Sequence, residues 1–396
     1  MAEEKPMELN DLLKIAIKHG ASDIHLKPGS PPRFRLAGGL KPYEKIRLTP
    51  DMVNKMAYSI MNQRQKKYFE QEQEIDLAYG VPGLGRFRVN IFYQRGTIGI
   101  VLRVIPFKVM TLNELNLPKV VGKISGEQRG LILVTGTTGS GKSTTLAAMI
   151  NIINEARECN IVTIEDPIEI LHRDKRSIIN QREVGLDTKS FARALKSALR
   201  QDPDVILVGE MRDFETITTS LRAADTGHLV LSTLHTIDAA ETITRIINEF
   251  PEQQHKQVRI QLSSLLKGII SQRLVPRADN KGRIPAVEIL VSTAYVRDCI
   301  MYQEKFKHLN EAIAQGFSQY GMQTFDQSLM FLYKHKLITL EEALKQSSNP
   351  ADFKLKLSGI TTADDPTAWE PFAGDKDDDD PEGGSPAGGD LEIERF

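Results

Sequence analysis

The sequence predicts an α/β protein, a parallel sheet covered on both faces, preceded by a smaller α+β block. Two patterns carry this expectation. From residue 130 onward, short apolar runs ("LILVTG", "IVTIED", "VILVGE", "LVLSTLH") alternate with helical patterns. Runs without polar alternation suit strands buried on both faces, hence parallel strands with helices above and below. Before residue 106 the segments are strand-rich and alternating, as in "GRFRVNIFYQRG". Length agrees, since 396 residues exceed one ordinary domain and suffice for two cores.

In chain order, "ELNDLLKIAIKH" spaces Leu9, Leu12, Leu13, Ile15 and Ala16 for a helix that Gly20 ends. "SDIHLKPG" reads as a strand and turn, and "PPRFRLAGGLKPY" as a hairpin turning at Gly38 and Gly39. One helix is expected over roughly 50–72, then strands in "IDLAYG", "GRFRVNIFYQRG" and "TIGIVLRVIP". These assign 1–105 to the first domain. Pro106 and Pro118 bracket an expected linker over 106–120, and 121–360 form the second domain, with helical pattern over 256–273 and 295–347. Residues 361–396 are rich in Asp, Gly and Pro and bury too little apolar area to offset chain entropy, so a disordered tail is expected there.

Charge is unevenly spread. Residues 361–396 hold 8 Asp and 4 Glu against Lys376 and Arg395, a net of −10, which leaves 1–360 at +9. That body has no dense basic run interleaved with aromatics, so a nucleic-acid partner is not expected. The two cysteines, Cys159 and Cys299, are far apart and exclude a cysteine-built zinc site. The N-terminus lacks a signal pattern, and no apolar run approaches the roughly 18 residues of a membrane span. A soluble cytoplasmic protein is the expectation.

"GTTGSGKS", Gly136 to Ser143, matches G-x-x-x-x-G-K-[ST] in full, after a strand and before the helix "STTLAAMINIINEA". Gly136, Gly139 and Gly141 let backbone N–H groups, with those of Thr137, Thr138, Ser140 and Thr144, turn around a phosphate at a helix N-terminus. Lys142 is expected on the β- and γ-phosphates of ATP, and the Ser143 hydroxyl on Mg²⁺. A Gly-Ser loop with a stray lysine is the bland alternative, and the full match in its proper context disfavours it. Carboxylates stand at two further strand ends, Glu165 and Asp166 in "IVTIEDPIE" and Glu210 in "DVILVGEMRD". One can activate water and the other can hold Mg²⁺. Gly209 occupies the place of the usual strand-end Asp, so Glu210 serves alone, while Asp166 before Pro167 equally suits a helix cap. His228 and His235 bracket the strand of "GHLVLSTLHT", roughly 23 Å apart if fully extended.

The order "GTTGSGKS", "IEDPIE", "DVILVGEMRD", "TGHLVLSTLHT" resembles the secretion ATPases of type II secretion and type IV pilus motors, whose Walker A, Asp, Walker B and His boxes these match. The short N-terminal block with "GASDIHL", "GRFRVNIFYQRG" and "NQREVGLDT" narrows the resemblance to the pilus retraction ATPases, the PilT and PilU group. "GMQTFDQSLMFLY" and "EEALKQSSNPADFKLKL" look more like the PilU side.

The resemblance implies a RecA-like ATPase domain and a smaller PAS-like domain, assembled as a homohexamer at the cytoplasmic face of the inner membrane. It implies a PilC-like platform protein as partner, with pilin moved indirectly and the ring peripheral to the membrane. It also implies His235 and His228 near the nucleotide. Arg88 and Arg95 become arginine fingers, with Arg212 a weaker candidate and Arg86 on the same strand face as Arg88. A nucleic-acid motor and a non-hydrolysing ATP-binding scaffold stand as alternatives.

Overall fold

The structure, a computed structural model, describes residues 8–36, 38–43, 47–106 and 108–358. The expected acidic tail lies outside the described residues. The first half of the described chain begins with α1 (Leu9–Lys18), whose Leu9, Leu12, Leu13 and Ala16 are buried as their spacing requires. It continues through β1 (Asp23–Leu26), β2 (Arg33–Leu36) and β3 (Gly39–Pro42), then α2 (Pro50–Ser59) and α3 (Gln63–Glu72). β4 (Glu74–Val81), β5 (Gly85–Gln94) and β6 (Thr97–Ile105) complete a six-stranded sheet in the order β3-β2-β1-β6-β5-β4. Every pairing in it is antiparallel.

Along β5, Phe87, Val89 and Ile91 turn into the core shared with α1, α2 and α3, while Arg86, Arg88 and Asn90 take the other face. The helix expected over 50–72 is two helices. Asn62 breaks it, accepting from the Gln65 backbone N–H at 2.9 Å while the Gln65 side chain accepts from the Asn62 N–H at 2.9 Å. This reciprocal cap starts a new helix where periodicity alone reads one continuous element.

From Pro106 the chain runs through α4 (Lys119–Ser125), β7 (Gly130–Thr135), α5 (Lys142–Ala156), β8 (Asn160–Glu165), β9 (Ile178–Glu183), α6 (Phe191–Ala198), β10 (Val205–Val208) and α7 (Phe214–Asp225). β11 (Leu229–Leu234), α8 (Ala239–Asn248), α9 (His255–Leu265), β12 (Leu266–Pro276) and β13 (Arg283–Val291) follow. The described chain closes with α10 (Ala294–Met301), α11 (Leu309–Gln315), α12 (Phe317–Tyr320), α13 (Phe325–Lys334), α14 (Leu340–Gln346) and α15 (Pro350–Leu357). The second sheet has the order β13-β12-β7-β11-β10-β8-β9, parallel except for β13.

Its two faces are visible residue by residue. Leu131 and Leu133 of β7 join one core, and Ile132 and Val134 join the other. Ile206 and Val208 of β10 pack on the first face, Val205 and Leu207 on the second. Burying an isoleucine or leucine side chain contributes about 1.5–3 kcal/mol, so two filled faces are what hold the parallel sheet.

One expectation fails here. Residues 266–273 were expected to be helical, but the helix stops at Leu265 and the chain becomes β12, which pairs with β7 from Leu266↔Leu131 to Ser271↔Thr135. That long-range pairing overrides the local pattern. Residues of the 106–120 segment make contacts of their own. The Pro106 carbonyl accepts from the Leu171 N–H at 3.1 Å, Leu117 is buried, and Leu112 and Leu115 pack against the core around α5.

Candidate nucleotide site

Strand register decides which functional groups meet. Thr135 lies beside Leu234 and Ser271, and Val208 lies beside both Ser232 and Ile164. The segments leaving this carboxyl edge are therefore the loop from Gly136, the Glu210 turn, Glu165 and His235. This is the edge at which open α/β sheets receive ligands.

The loop is built for an anion. Gly136, Gly139 and Gly141 all have positive φ, and a Cβ at Gly136 would stand 2.4 Å from the Gln272 carbonyl oxygen and 2.6 Å from the Ser140 hydroxyl. Only glycine fits there. The buried Ser140 hydroxyl finds no hydrogen-bond partner, and Thr137, Thr138 and Gly139 are exposed above the helix N-terminus of α5. Lys142 is buried and its ammonium donates to the Gly136 and Thr137 carbonyls at 2.7 and 3.0 Å. Burial pulls its pKa down, while the Glu169 and Glu210 carboxylates push it back up. Ser143 is exposed and Thr144 half-buried on the first turn of α5. Glycine loop, orphaned hydroxyl and lysine together fit a polyphosphate.

Glu210 lies between Arg212 and the His235 ring. Its Oε2 is 2.6 Å from Arg212 Nε and 3.5 Å from His235 Nε2. Gly209 before it has its N–H on the Ile164 carbonyl at 2.7 Å, and a Cβ there would stand 3.1 Å from that same oxygen. Close approach to β8 explains glycine where an aspartate is usual.

Glu165 is held differently. Its Oε1 accepts from the Thr163 hydroxyl at 2.6 Å and from Gln181 Nε2 at 3.1 Å. Burial raises its pKa, opposed by those two donors and by the Glu169 backbone N–H. Asp166 caps none of the described helices.

His228 is not brought to this edge. Leu229 pairs with Gly130 at the start of β7, so His228 stands at the opposite end of β11. Its ring Nδ1 lies 2.8 Å from the Ala223 carbonyl and 3.2 Å from the Thr226 hydroxyl. Two histidines flanking one strand are close in sequence and far apart in space.

The arginines also divide. Arg86 Nη2 reaches Glu183 Oε2 at the end of β9, 3.3 Å away, joining the first sheet to the second. Glu183 is buried, which raises its pKa, and the charges of Arg86 and Arg88 lower it. Arg88, exposed, thus stands on the same side. Arg95 occupies the turn after β5 at φ 48°, the opposite end of that strand from Arg86. Sequence reasoning missed Glu183, Gln181 and Thr163. "NQREVG" contains the first two, but their role depends on β9 lying beside β8, with Thr163 level with Gln181 and Glu165 level with Glu183.

Fold and loop together define a P-loop protein of the covered parallel-sheet class. More particularly, the chain belongs to the type II/IV secretion system protein family, whose model matches residues 3–331. It is 46% identical over 347 residues to the type IV pilus retractation ATPase PilT of Pseudomonas aeruginosa, covering 88% of this chain and 100% of that one. It is 42% identical over 360 residues to the type IV pilus ATPase PilU of the same organism, covering 90% and 94%. Among solved structures, the pilus retraction motor PilT with bound ADP superposes at a TM-score of 0.78 with 49% identity, over 87% of this chain and 98% of that one. Among the described residues, no helix is long and apolar enough to cross a membrane.

Proposed function

We propose that this protein is a cytoplasmic ATP-hydrolysing motor that powers type IV pilus retraction, and with it twitching motility. The carrying observation is the convergence of Lys142, Glu165, Glu210 and His235 on one sheet edge. Likeness over nearly its whole length to PilT supports the mechanical role. ATP sits with its phosphates on residues 136–144. Ser143 and Glu210 are the residues that would hold a Mg²⁺ ion, which would supply neutralising charge at the transferred phosphoryl group. Glu165 takes a proton from the attacking water as the new P–O bond forms and the bond to the ADP oxygen breaks. His235, beside Glu210, reports whether the γ-phosphate is present.

Arg88 is the finger nearest the second sheet. Arg95, at the far turn, is the candidate for reaching a neighbouring subunit of a homohexamer. Closure and release of the first domain about the 106–120 segment would convert turnover into movement of an inner-membrane platform protein, with the ring peripheral to the membrane.

The test is phosphate release from Mg-ATP by the wild type and by Lys142→Ala. The variant should lose at least 100-fold in turnover, because its lysine is the cation built into the loop. Equal turnover would overturn the reading. An accessory motor, working beside another retraction ATPase, is the second reading, and it is favoured by the PilU match. Deleting the gene separates them: hyperpiliation with lost twitching marks the main motor, and near-normal retraction the accessory one.

A further inference from the structure

We infer that Gln181 on β9 is the positioning residue for Glu165, fixing the carboxylate that takes the proton from water. This rests on the proposed role of Glu165 and adds a residue outside the four motif boxes. Both N–H groups and the oxygen of the Gln181 amide are engaged. Its nitrogen donates to Glu165 Oε1 at 3.1 Å and to the Ile170 carbonyl at 3.0 Å, and its oxygen accepts from the His172 backbone N–H at 2.9 Å. Flipping the amide would set a donor against that N–H, so the network itself assigns the orientation. The Gln181 N–H therefore points at Glu165 before any substrate arrives.

Register makes this possible. β9 is the edge strand, paired in parallel with β8 so that Gln181 is level with Thr163 and two residues before Glu183. Residues two apart on a strand share a face. The face that holds Glu165 is thus the face on which Glu183 meets Arg86 of the first sheet. The Thr163 hydroxyl donates to the same carboxylate oxygen at 2.6 Å. Two donors on one oxygen fix the carboxylate plane and favour its charged form, against burial and the nearby Glu169 carboxylate. Glu183, level with Glu165 on β9, is the other acid beside it, and Arg86 and Arg88 are the cations nearest Glu183.

The experiment measures ATP turnover against pH for the full chain and for Gln181→Met, Thr163→Val and Glu165→Gln. Gln181→Met keeps length and removes the donor, Gln181→Leu removes it in a second shape should the first fail to fold, and Thr163→Val removes the other donor for comparison. A hydrogen bond to a charged group is strong enough that its loss should lower kcat about 10-fold, leave KM for ATP within about twofold, and move the acid limb of the kcat profile upward by about one pH unit. A kcat loss with the acid limb unmoved, or a loss confined to KM, would reduce Gln181 to packing and overturn the inference. If Glu165→Gln turns over at the wild-type rate, the base assignment falls and this inference falls with it. If Glu165→Gln is dead while neither donor variant shifts the limb, only the positioning role falls.

Discussion

At Gly136 the backbone holds φ at +141° with a carbonyl oxygen 2.4 Å from where any Cβ would stand. A constraint that local writes itself into sequence, which is why the phosphate loop is legible as a string of residues. Glu165, Glu210 and His235 are legible for a related reason, since each ends an apolar run and strand ends gather at one edge. The arginines are not. Alternation puts Arg86 and Arg88 on one face of β5, but only the docking of two sheets puts Arg86 on Glu183. The finger assignment therefore makes a split prediction. Arg88→Ala should lower kcat about 10- to 1000-fold with little change in KM, because a finger acts on charge present only in the transition state. Arg95→Ala should do so only in assembled rings, where a neighbouring site is within reach. Steady-state ATPase kinetics on ring and monomer fractions check both, and a pure KM effect of Arg88→Ala would remove it from the chemistry.

Elements show the next limit of sequence reading. The parallel strands β7, β8, β10 and β11 announce themselves by unbroken apolar runs, whereas β12 is hidden. "LKGIISQRLVP" continues the pattern of α9 and becomes a strand only because β7 and β13 flank it. That arrangement buries Glu288 on β13, opposite Ser271, with its Oε1 accepting the Ala239 N–H at the start of α8 at 2.8 Å. Burial pushes the Glu288 pKa up to about 7, reinforced by Asp238 and Asp326 and opposed by the Ala239 N–H and Arg273. The folded state therefore holds this proton more tightly than the unfolded chain does. Its stabilising effect is full below the unfolded value near 4.5 and is lost as pH rises through about 7. Glu288→Gln keeps the acceptor and removes the ionisation. Its melting temperature should match wild type near pH 5 and exceed it by a few degrees at pH 8. A difference between variant and wild type that is constant across that range would show that Glu288 does not titrate in the fold.

On the scale of the whole molecule, two sheets built on different rules meet at Arg86 and Glu183, with side-chain exposures of 24% and 10%. The first sheet is antiparallel with one wet face, so its arginines are available. The second is parallel except for β13 and covered on both faces, and its edge strand β9 carries the contact with the first. An ion pair this sheltered lies between the exposed and fully buried cases, and removing one partner should cost about 1–3 kcal/mol. Most of that cost is the carboxylate left buried without its cation. Arg86→Glu places two carboxylates together and should lower the melting temperature by several degrees, with ATP turnover falling because β9 also carries Gln181. Glu183→Arg sets two guanidinium groups, with Arg88 nearby, against each other and should behave alike. The exchanged pair, Arg86→Glu with Glu183→Arg, restores opposite charges across the same gap and should recover at least half of both losses. Thermal melts and phosphate release on the four proteins form a double-mutant cycle. Strict additivity, with no recovery in the exchanged pair, would mean that the two sheets are not joined through this contact in solution, and that turnover does not depend on Arg86 holding the end of β9.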